Sequence, residues 1–172
     1  MADRAPTETT NLDRYGSPML DWRKTRDQLA NPSTAGITFL GTSRPDGRPH
    51  SARVGALWHD GDFYLTSGAG TRKSRNLAEN PACTLSVSLE GVDMVFEGEA
   101  QRVTDQQTLE RLASLYRDAG WPAEVEGEAF TAPFSAPSAG PPPWDLYRFT
   151  YHTAFGVGTT EPYGATRWRF EN

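Results

Sequence analysis

The chain has 172 residues, of which 37% are hydrophobic and 11% aromatic, which is typical of one globular domain. A formal net charge of -5 and a pI of about 5.2 exclude an overall basic field that would attract nucleic acid or an anionic membrane. The single cysteine, Cys83, excludes an internal disulfide and a cysteine-rich metal site. Because no apolar signal or transmembrane run is present, we expect a cytoplasmic protein.

The first part of the chain predicts an arm and a short helix. Residues 1–16 are polar, so we expect a flexible N-terminal arm, followed by a single domain over residues 17–172. Ser17 is a suitable N-cap, and Pro18 suits the first turn of a helix over MLDWRKTRDQLA. We expect this helix to end at Asn31, because the proline that follows cannot continue it.

Seven later segments are predicted as strands, and two of them, ACTLSVSL and DMVFEGEAQRV, alternate apolar and polar residues as half-buried strands do. The seven segments are GITFLGTS (36–43), RPHSARVGALWHD (48–60), DFYLTS (62–67), ACTLSVSL (82–89), DMVFEGEAQRV (93–103), WDLYRFTYHTAFGVG (144–158) and ATRWRF (165–170). Short turns such as the Asp60-Gly61 pair join the first three segments in an antiparallel order.

Two further helices are predicted between these strands. One follows the third strand within SGAGTRKSRNLAENP, and the other covers DQQTLERLASLYRDAG, with Thr104 and Gln107 as a capping box. The second helix has one apolar face, formed by Leu109, Leu112, Ala113 and Tyr116. Residues 121–143 are rich in proline, glycine and alanine and predict a long surface loop. Short antiparallel strands with few helices favour a small barrel.

Three segments of the chain resemble a known family. DGRPHSARVGALW, RKSRNLAENPACTLSV and VFEGEAQRVTD are similar to signature segments of the split β-barrel flavin-binding superfamily, which includes pyridoxamine 5'-phosphate oxidases and deazaflavin-dependent reductases. The resemblance implies a mainly β (α+β) fold, a six- to seven-stranded antiparallel split β-barrel with a few flanking helices. It also implies an oxidoreductase with a flavin-type cofactor, a small-molecule substrate, and a homodimer in which each cofactor ring lies at the shared interface.

The helix after the third strand carries three cations in its first turn, Arg72, Lys73 and Arg75. Positive charge is unfavourable there unless an anion binds, because the helix dipole and unpaired N–H groups already make this end positive. A solvated basic face, paired with Glu79 or nearby aspartates, explains the same pattern about equally well. The order of the surrounding elements favours a phosphate site.

Residues next to this cluster complete the expected phosphate site. Thr66 and Ser67 end the preceding strand and have hydroxyl groups that could donate to a phosphate. The resemblance identifies Lys73 as the cofactor-binding lysine and places Asn76 on the phosphate side.

The strand SARVGALW is the second half of the expected site. Its core face holds Ala52, Val54, Ala56 and Trp58, which leaves Arg53 and Gly55 on the opposite face. A glycine within a strand marks either a close approach of another group or a bulge at a barrel corner. In the family that this chain resembles, the approaching group is the flat ring of the flavin. Arg53 faces either this ring or solvent.

Catalytic residues are not identified by the sequence. The three histidines lack metal-ligand spacing, and no nucleophile motif of a hydrolase is present, so we expect no metal. Arg167, in the last strand, lies where the resemblance implies an arginine for the flavin, although a dimer contact or a solvent position explains it as well. A sparse site is compatible with redox chemistry, because flavin coenzymes carry that chemistry in their own rings.

The identity of the cofactor is less determined. FMN ends in one phosphate, whereas the deazaflavin F420 continues into an acidic tail, which additional cations would bind. Because the first turn of the helix carries three cations, F420 is slightly preferred over FMN. TRWRF lacks the histidine that the family's oxidases of pyridoxamine phosphate have in the last strand, which argues against that substrate. The alternative function is a non-catalytic protein that binds or stores flavin or haem.

Overall fold

The computed structural model describes residues 4–31, 33 and 36–171, and this part of the chain forms eleven strands and three helices. The strands are β1 (Glu8–Asn11), β2 (Thr38–Ser43), β3 (Pro49–Val54), β4 (Ala56–His59), β5 (Asp62–Ser67), β6 (Ala82–Leu89), β7 (Val92–Val103), β8 (Glu124–Glu126), β9 (Ala129–Thr131), β10 (Asp145–Gly158) and β11 (Ala165–Arg169). The helices are α1 (Trp22–Ala30), α2 (Arg72–Glu79) and α3 (Gln106–Asp118).

Seven strands follow one another around the main sheet in the order β3-β2-β6-β7-β10-β5-β4, and all their pairs are antiparallel. β4 follows β3 directly in the chain, with only Gly55 between them, and no ladder of the described residues joins β3 to β4. The two edges of the sheet are therefore connected by the chain and not by hydrogen bonds. This arrangement is a split barrel, and it confirms the predicted mainly β, antiparallel fold.

The long strand β10 has different neighbours along its length. Its first part, Asp145–Phe149, lies between β5 and β7, whereas its second part, from Thr153 onwards, lies between β11 and β7. A register irregularity between Tyr151 and Thr153 separates the two parts. The strand can thus close the barrel with one part and extend the sheet towards β11 and β1 with the other.

The alternating patterns correctly identify the core faces. Cys83, Leu85 and Val87 of β6 are buried, as are Met94 and Phe96 of β7. Burial raises the pKa of the Cys83 thiol to about 12, so this cysteine is a small core residue, as predicted. The predicted apolar face of α3 also lies in a hydrophobic cluster, which includes Leu109, Leu112 and Ala113.

The starts of two helices differ from the prediction. α1 begins at Trp22, with Asp21 as N-cap accepting a hydrogen bond from the Arg23 N–H at 2.9 Å, and the Ser17 hydroxyl donates to the Pro162 carbonyl instead. α3 is capped by Asp105 and not by Thr104. In both cases the sequence offers two capping side chains of comparable strength, and the structure uses the aspartate that directly precedes the first helical residue.

Two segments predicted as irregular contain strands. Within the predicted flexible arm, β1 pairs with β11, with Glu8 opposite Arg169 and Asn11 opposite Thr166. An exposed edge strand presents unpaired N–H and C=O groups, so a short polar segment can pair with it without an apolar pattern of its own. Within 121–143, β8 and β9 form a hairpin that buries Phe130, which corrects the prediction of a wholly irregular surface loop.

The strand number exceeds the predicted six to seven for related reasons. The segment 48–60 is divided at Gly55 into β3 and β4, and β1, β8 and β9 are additional. In the described part of the chain, none of the helices is long and apolar enough to cross a membrane.

Candidate functional site

A cavity of about 450 Å³ lies between the β3–β4 junction, the end of β5, the start of α2 and residues 134–139. Five of the nine residues that the sequence predicts for the cofactor site line this cavity, namely Arg53, Gly55, Thr66, Ser67 and Lys73. The structure therefore brings the two predicted halves of the site together.

A cluster of hydroxyl groups fixes the start of α2 beside this cavity. Thr71 is the N-cap and accepts a hydrogen bond from the Ser74 N–H at 3.3 Å. The Ser74 hydroxyl donates to the Ser67 oxygen at 2.7 Å, and the Ser67 and Thr71 oxygens are 2.9 Å apart. Ser67 is thus held mainly by protein groups, which leaves Thr66 as the half-buried hydroxyl residue on this wall. Ser74 is not among the residues predicted for the site, and its polar side chain is buried on the same helix.

Lys73 is the cation of α2 that lines the cavity. It lies on the same side of α2 as the buried Asn76 and Leu77, three and four residues further on, and this placement half-buries its side chain. Burial lowers the pKa of Lys73 from its usual value of 10.5. Within the described residues, neither Lys73 nor the neighbouring arginines form an ion pair with Glu79 or with any other carboxylate.

The other predicted residues of α2 lie outside the cavity lining. Arg72 is partly buried and Arg75 is exposed, and neither lines the cavity. Asn76 is fully buried, and its Nδ2 donates to Thr42 Oγ1 at 3.0 Å. Asn76 therefore ties α2 to β2 in this structure.

Gly55 faces open space. An added Cβ would meet no atom within 4 Å, and the backbone does not adopt the positive φ that only glycine tolerates well. On either side, Val54 and Ala56 pack against the core, as the predicted alternation requires, while Arg53 is exposed. The glycine thus provides an accessible backbone position without a side chain, between β3 and β4, within the cavity.

The second wall of the cavity comes from the proline-rich segment. Trp121 Nε1 donates to the Phe134 carbonyl at 2.7 Å, and the Trp121 ring packs edge-on against Tyr116, with centroids 5.3 Å apart. Phe134 lines the cavity while 59% of its surface is exposed. The sequence analysis missed these aromatic residues, because only their unusual presence in a proline-rich segment marks them.

The family model described as pyridoxamine 5'-phosphate oxidase matches residues 24–158. The chain belongs to the pyridoxamine 5'-phosphate oxidase family. This confirms the resemblance seen in the sequence. No curated protein matches the chain.

Solved structures with the fold of this family support the architecture. A putative pyridoxamine 5'-phosphate oxidase from Listeria innocua has a TM-score of 0.55 at 16% identity, covering 77% of this chain and 94% of its own. An F420 reductase has a TM-score of 0.51 at 20% identity, covering 75% and 94%. HupZ of Group A Streptococcus has a TM-score of 0.55 at 12% identity, covering 89% and 100%. At these identities the similarity concerns the fold.

Arg167, the remaining predicted residue, lies away from the cavity of its own chain. It is opposite Phe155 of β10, whereas Thr66 of the cavity is opposite Leu146 of the same strand. Nine residues of strand correspond to roughly 30 Å at about 3.3 Å per residue. Arg167 Nη2 is 3.3 Å from Glu8 Oε1, a contact to β1.

A row of residues on the outer face of the sheet connects Arg167 to the cavity. Strand register places the row in the order Thr10, Arg167, Phe155, Val95, Ser86, Phe39 and Arg53. Phe39 and Val95 are 44% and 39% exposed. The row thus has an apolar middle, with one arginine close to each end.

No group of three or more metal-ligating side chains occurs among the described residues.

Proposed function

We propose that the protein is a flavin- or deazaflavin-dependent oxidoreductase that holds the cofactor phosphate in the cavity beside α2 and transfers hydride to or from a small molecule. The observation that carries this proposal is Lys73, a half-buried cation in a cavity at a helix N-terminus, with no carboxylate partner among the described residues. A phosphate supplies the missing negative charge. Membership of the pyridoxamine 5'-phosphate oxidase family supports the choice of a phosphate-bearing cofactor.

The residues present fit such a cofactor. Lys73 neutralises the phosphate, the Thr66 hydroxyl can donate to it, and Gly55 leaves space for a flat ring against the strand. The cofactor, when bound, supplies the redox chemistry. The protein's own contribution is to bind, orient and enclose it. The described part of the cavity lining contains no carboxylate or histidine side chain that could exchange a proton at neutral pH.

Arg72 and Arg75 bear on which cofactor is bound. Both lie outside the cavity but close to Lys73 in the chain, and neither forms an ion pair with a described residue. Cations that continue beyond the phosphate site would match the acidic tail of F420, which FMN lacks. We therefore keep a slight preference for F420 over FMN. Parallel titrations decide between them: F420 should bind at least as tightly as FMN, and Arg75→Ala should weaken F420 only.

The protein is further proposed to act as a homodimer. If two outer faces stack about a two-fold axis near Val95, the Phe39 and Phe155 positions cover one another, and Arg167 of one subunit approaches the Arg53 end of its partner. This contact would bring the distant Arg167 to a cavity. Light scattering should give about twice 19.0 kDa for the natural chain and the monomer mass for Val95→Glu. A monomeric natural chain at micromolar concentration would contradict the dimer.

Calorimetric titration of Lys73→Ala tests the cofactor site. We expect its affinity for the cofactor to fall by about 1.5–3 kcal/mol, the scale of a charge-assisted hydrogen bond. Lys24→Ala is the matched control, because Lys24 is the only other lysine and is exposed on α1. Equal affinities for both variants and the natural chain would show that the cations form a solvated face.

A non-catalytic binding or storage protein is the second candidate. The observation in its favour is the absence of a carboxylate or histidine from the described cavity lining. Binding of a flavin-type cofactor without turnover of any electron acceptor would establish storage, and a Soret band in the purified protein would establish haem binding.

A further inference from the structure

A second cavity lies next to the first and has a different chemistry. Its volume is about 600 Å³, and it is located between α1, β4 and the end of α3. Gly55 and Tyr116 line both cavities. Because Gly55 has no side chain and faces open space, nothing on that residue separates the two. The cavities therefore adjoin one another at the position where a cofactor ring would lie against the strand.

The walls of the second cavity are mainly apolar. Leu57, Trp58 and Leu115 contribute large apolar surfaces, and no described lysine or arginine is part of the lining. Asp118, at the end of α3, is its only described carboxylate. The first cavity, in contrast, contains Arg53 and Lys73. An anionic molecule is thus attracted to the first cavity and disfavoured in the second.

One polar group of the second cavity lacks a hydrogen bond. His59 Nε2 is buried and is 3.3 Å from an Asp60 carboxylate oxygen, but it makes no hydrogen bond to a described residue. Because this nitrogen has almost no accessible surface and lies beside a carboxylate, it is not open to a ligand, and the apolar walls and the Asp118 carboxylate determine what the cavity accepts.

The geometry points to a binding pocket in the second cavity for a neutral, mainly apolar, ring-bearing molecule, which is the second reactant of the proposed oxidoreductase. The inference rests on the proposed function for the reaction, but the pocket itself is a property of this chain and can be tested without a cofactor. A cofactor ring over Gly55 and a molecule against Leu57 and Trp58 would lie in adjoining cavities.

The first experiment compares two probes of the same shape in the cofactor-free protein. Both probes are measured on Lys73→Met, because this variant removes the half-buried cation of the first cavity, which would attract the anion. Calorimetry should show that neutral 2-naphthol binds at least tenfold more tightly than anionic 2-naphthoate. Asp118→Asn should reduce this ratio severalfold, because it removes the carboxylate that repels the anion. Equal affinity for both probes, or an unchanged ratio in Asp118→Asn, would overturn the inference.

The second experiment fills the pocket from its rim. Ala119 lines the cavity and is exposed, so Ala119→Phe should weaken 2-naphthol binding at least fivefold while it changes cofactor affinity less than twofold. Ala82→Phe is the control, because Ala82 is exposed on β6 and lines neither cavity. Unchanged 2-naphthol binding in Ala119→Phe would overturn the assignment.

A competition experiment separates this inference from the proposed function. With FMN or F420 present at saturation, 2-naphthol should bind with unchanged affinity, which places the two molecules in separate pockets. Displacement of 2-naphthol by the cofactor would assign the second cavity to the cofactor ring and overturn the inference. Failure of the protein to bind either cofactor, with 2-naphthol still bound selectively, would refute the proposed function alone.

Discussion

Asp62 and Lys73 are both charged residues at least partly withdrawn from solvent near β5, but they differ in whether an oppositely charged side chain contacts them. Asp62 is almost fully buried, accepts a hydrogen bond from Arg148 Nε at 2.6 Å and lies 3.0 Å from Arg4 Nη1. Lys73 is half-buried without a carboxylate partner among the described residues. A paired buried charge is accounted for by the fold itself, whereas an unpaired one in a cavity lowers stability until a ligand of opposite charge binds.

Removing the paired charge tests whether the buried carboxylate of Asp62 stabilises the fold. Asp62→Asn should lower the free energy of unfolding by about 3 kcal/mol, because it leaves the guanidinium groups of Arg4 and Arg148 without their shared carboxylate. Chemical denaturation measures the change. Asp60→Asn is the control, since Asp60 is exposed and its contact with Arg111 is a surface ion pair worth less than about 1 kcal/mol. Similar losses in both variants would show that burial of Asp62 has no special role.

A substitution at Gly55 tests where the uncharged ring of the ligand lies. Gly55→Val should change the free energy of unfolding by less than about 0.5 kcal/mol, because a Cβ has open space there and valine suits a strand. Cofactor affinity should fall at least tenfold, about 1.4 kcal/mol, if a ring lies against the strand.

A second glycine provides the control for this variant. Gly156→Ala should be clearly destabilising, since its Cβ would come within 3.0 Å of Trp168 and Met94 in the core. If Gly55→Val instead unfolds at lower denaturant concentration and still binds the cofactor, the glycine serves the barrel corner and not the ring.

Removing the unpaired charge of Lys73 should raise the free energy of unfolding, whereas removing the charge of Asp62 should lower it. In the absence of a ligand, Lys73→Met should raise the free energy of unfolding by a few tenths to about 1 kcal/mol, because a half-buried ammonium is replaced by an apolar group of similar length. Thermal unfolding with and without the cofactor measures it. Saturating cofactor should reverse the order of the two proteins. A less stable Lys73→Met without ligand would contradict the cost assigned to this charge.

The smallest expected effect is a pH dependence from Lys73. Its folded-state pKa lies below the usual 10.5, so between these two values the unfolded chain binds more protons and stability rises with pH. The stability gap between Lys73→Met and the natural chain should therefore be full at neutral pH and narrow as the pH rises towards 10.5. Denaturation at a series of pH values tests this, and a gap that widens with pH would be inconsistent with desolvation of Lys73.

The sequence determines the barrel strands well, because their patterns are long. Alternation over eight residues identifies the buried face of β6, including Leu85 and Val87. β1 has only four residues and no buried one, so its place depends on the unpaired edge of β11, which the local sequence does not describe. The helix starts fail for another reason: neighbouring capping candidates differ by little in energy, and tertiary contacts such as that of Ser17 with Pro162 decide between them.

The candidate site also contains residues that the sequence reveals and residues that only the fold brings together. Lys73 and Gly55 are visible in the sequence, because a cation in a first helical turn and a glycine within a strand both contradict local preference. Trp121 and Phe134 contradict no local rule, and they line the same cavity as Lys73 although the β8–β9 hairpin lies between them in the chain. Asn76 stays a prediction: its sequence position fits the phosphate site, and in the structure its Nδ2 donates to Thr42.

The pairing of β1 with β11 has a consequence for the order of events during synthesis on the ribosome. Residues 8–11 leave the exit tunnel early, yet their partners are residues 166–169, so this ladder cannot form until almost all of the described chain has been translated. β5 similarly waits for Asp145–Phe149 of β10. The hairpins β2–β3 and β6–β7 need no such delay, and these local pairs are expected to form first, with the barrel closing only when β10 arrives.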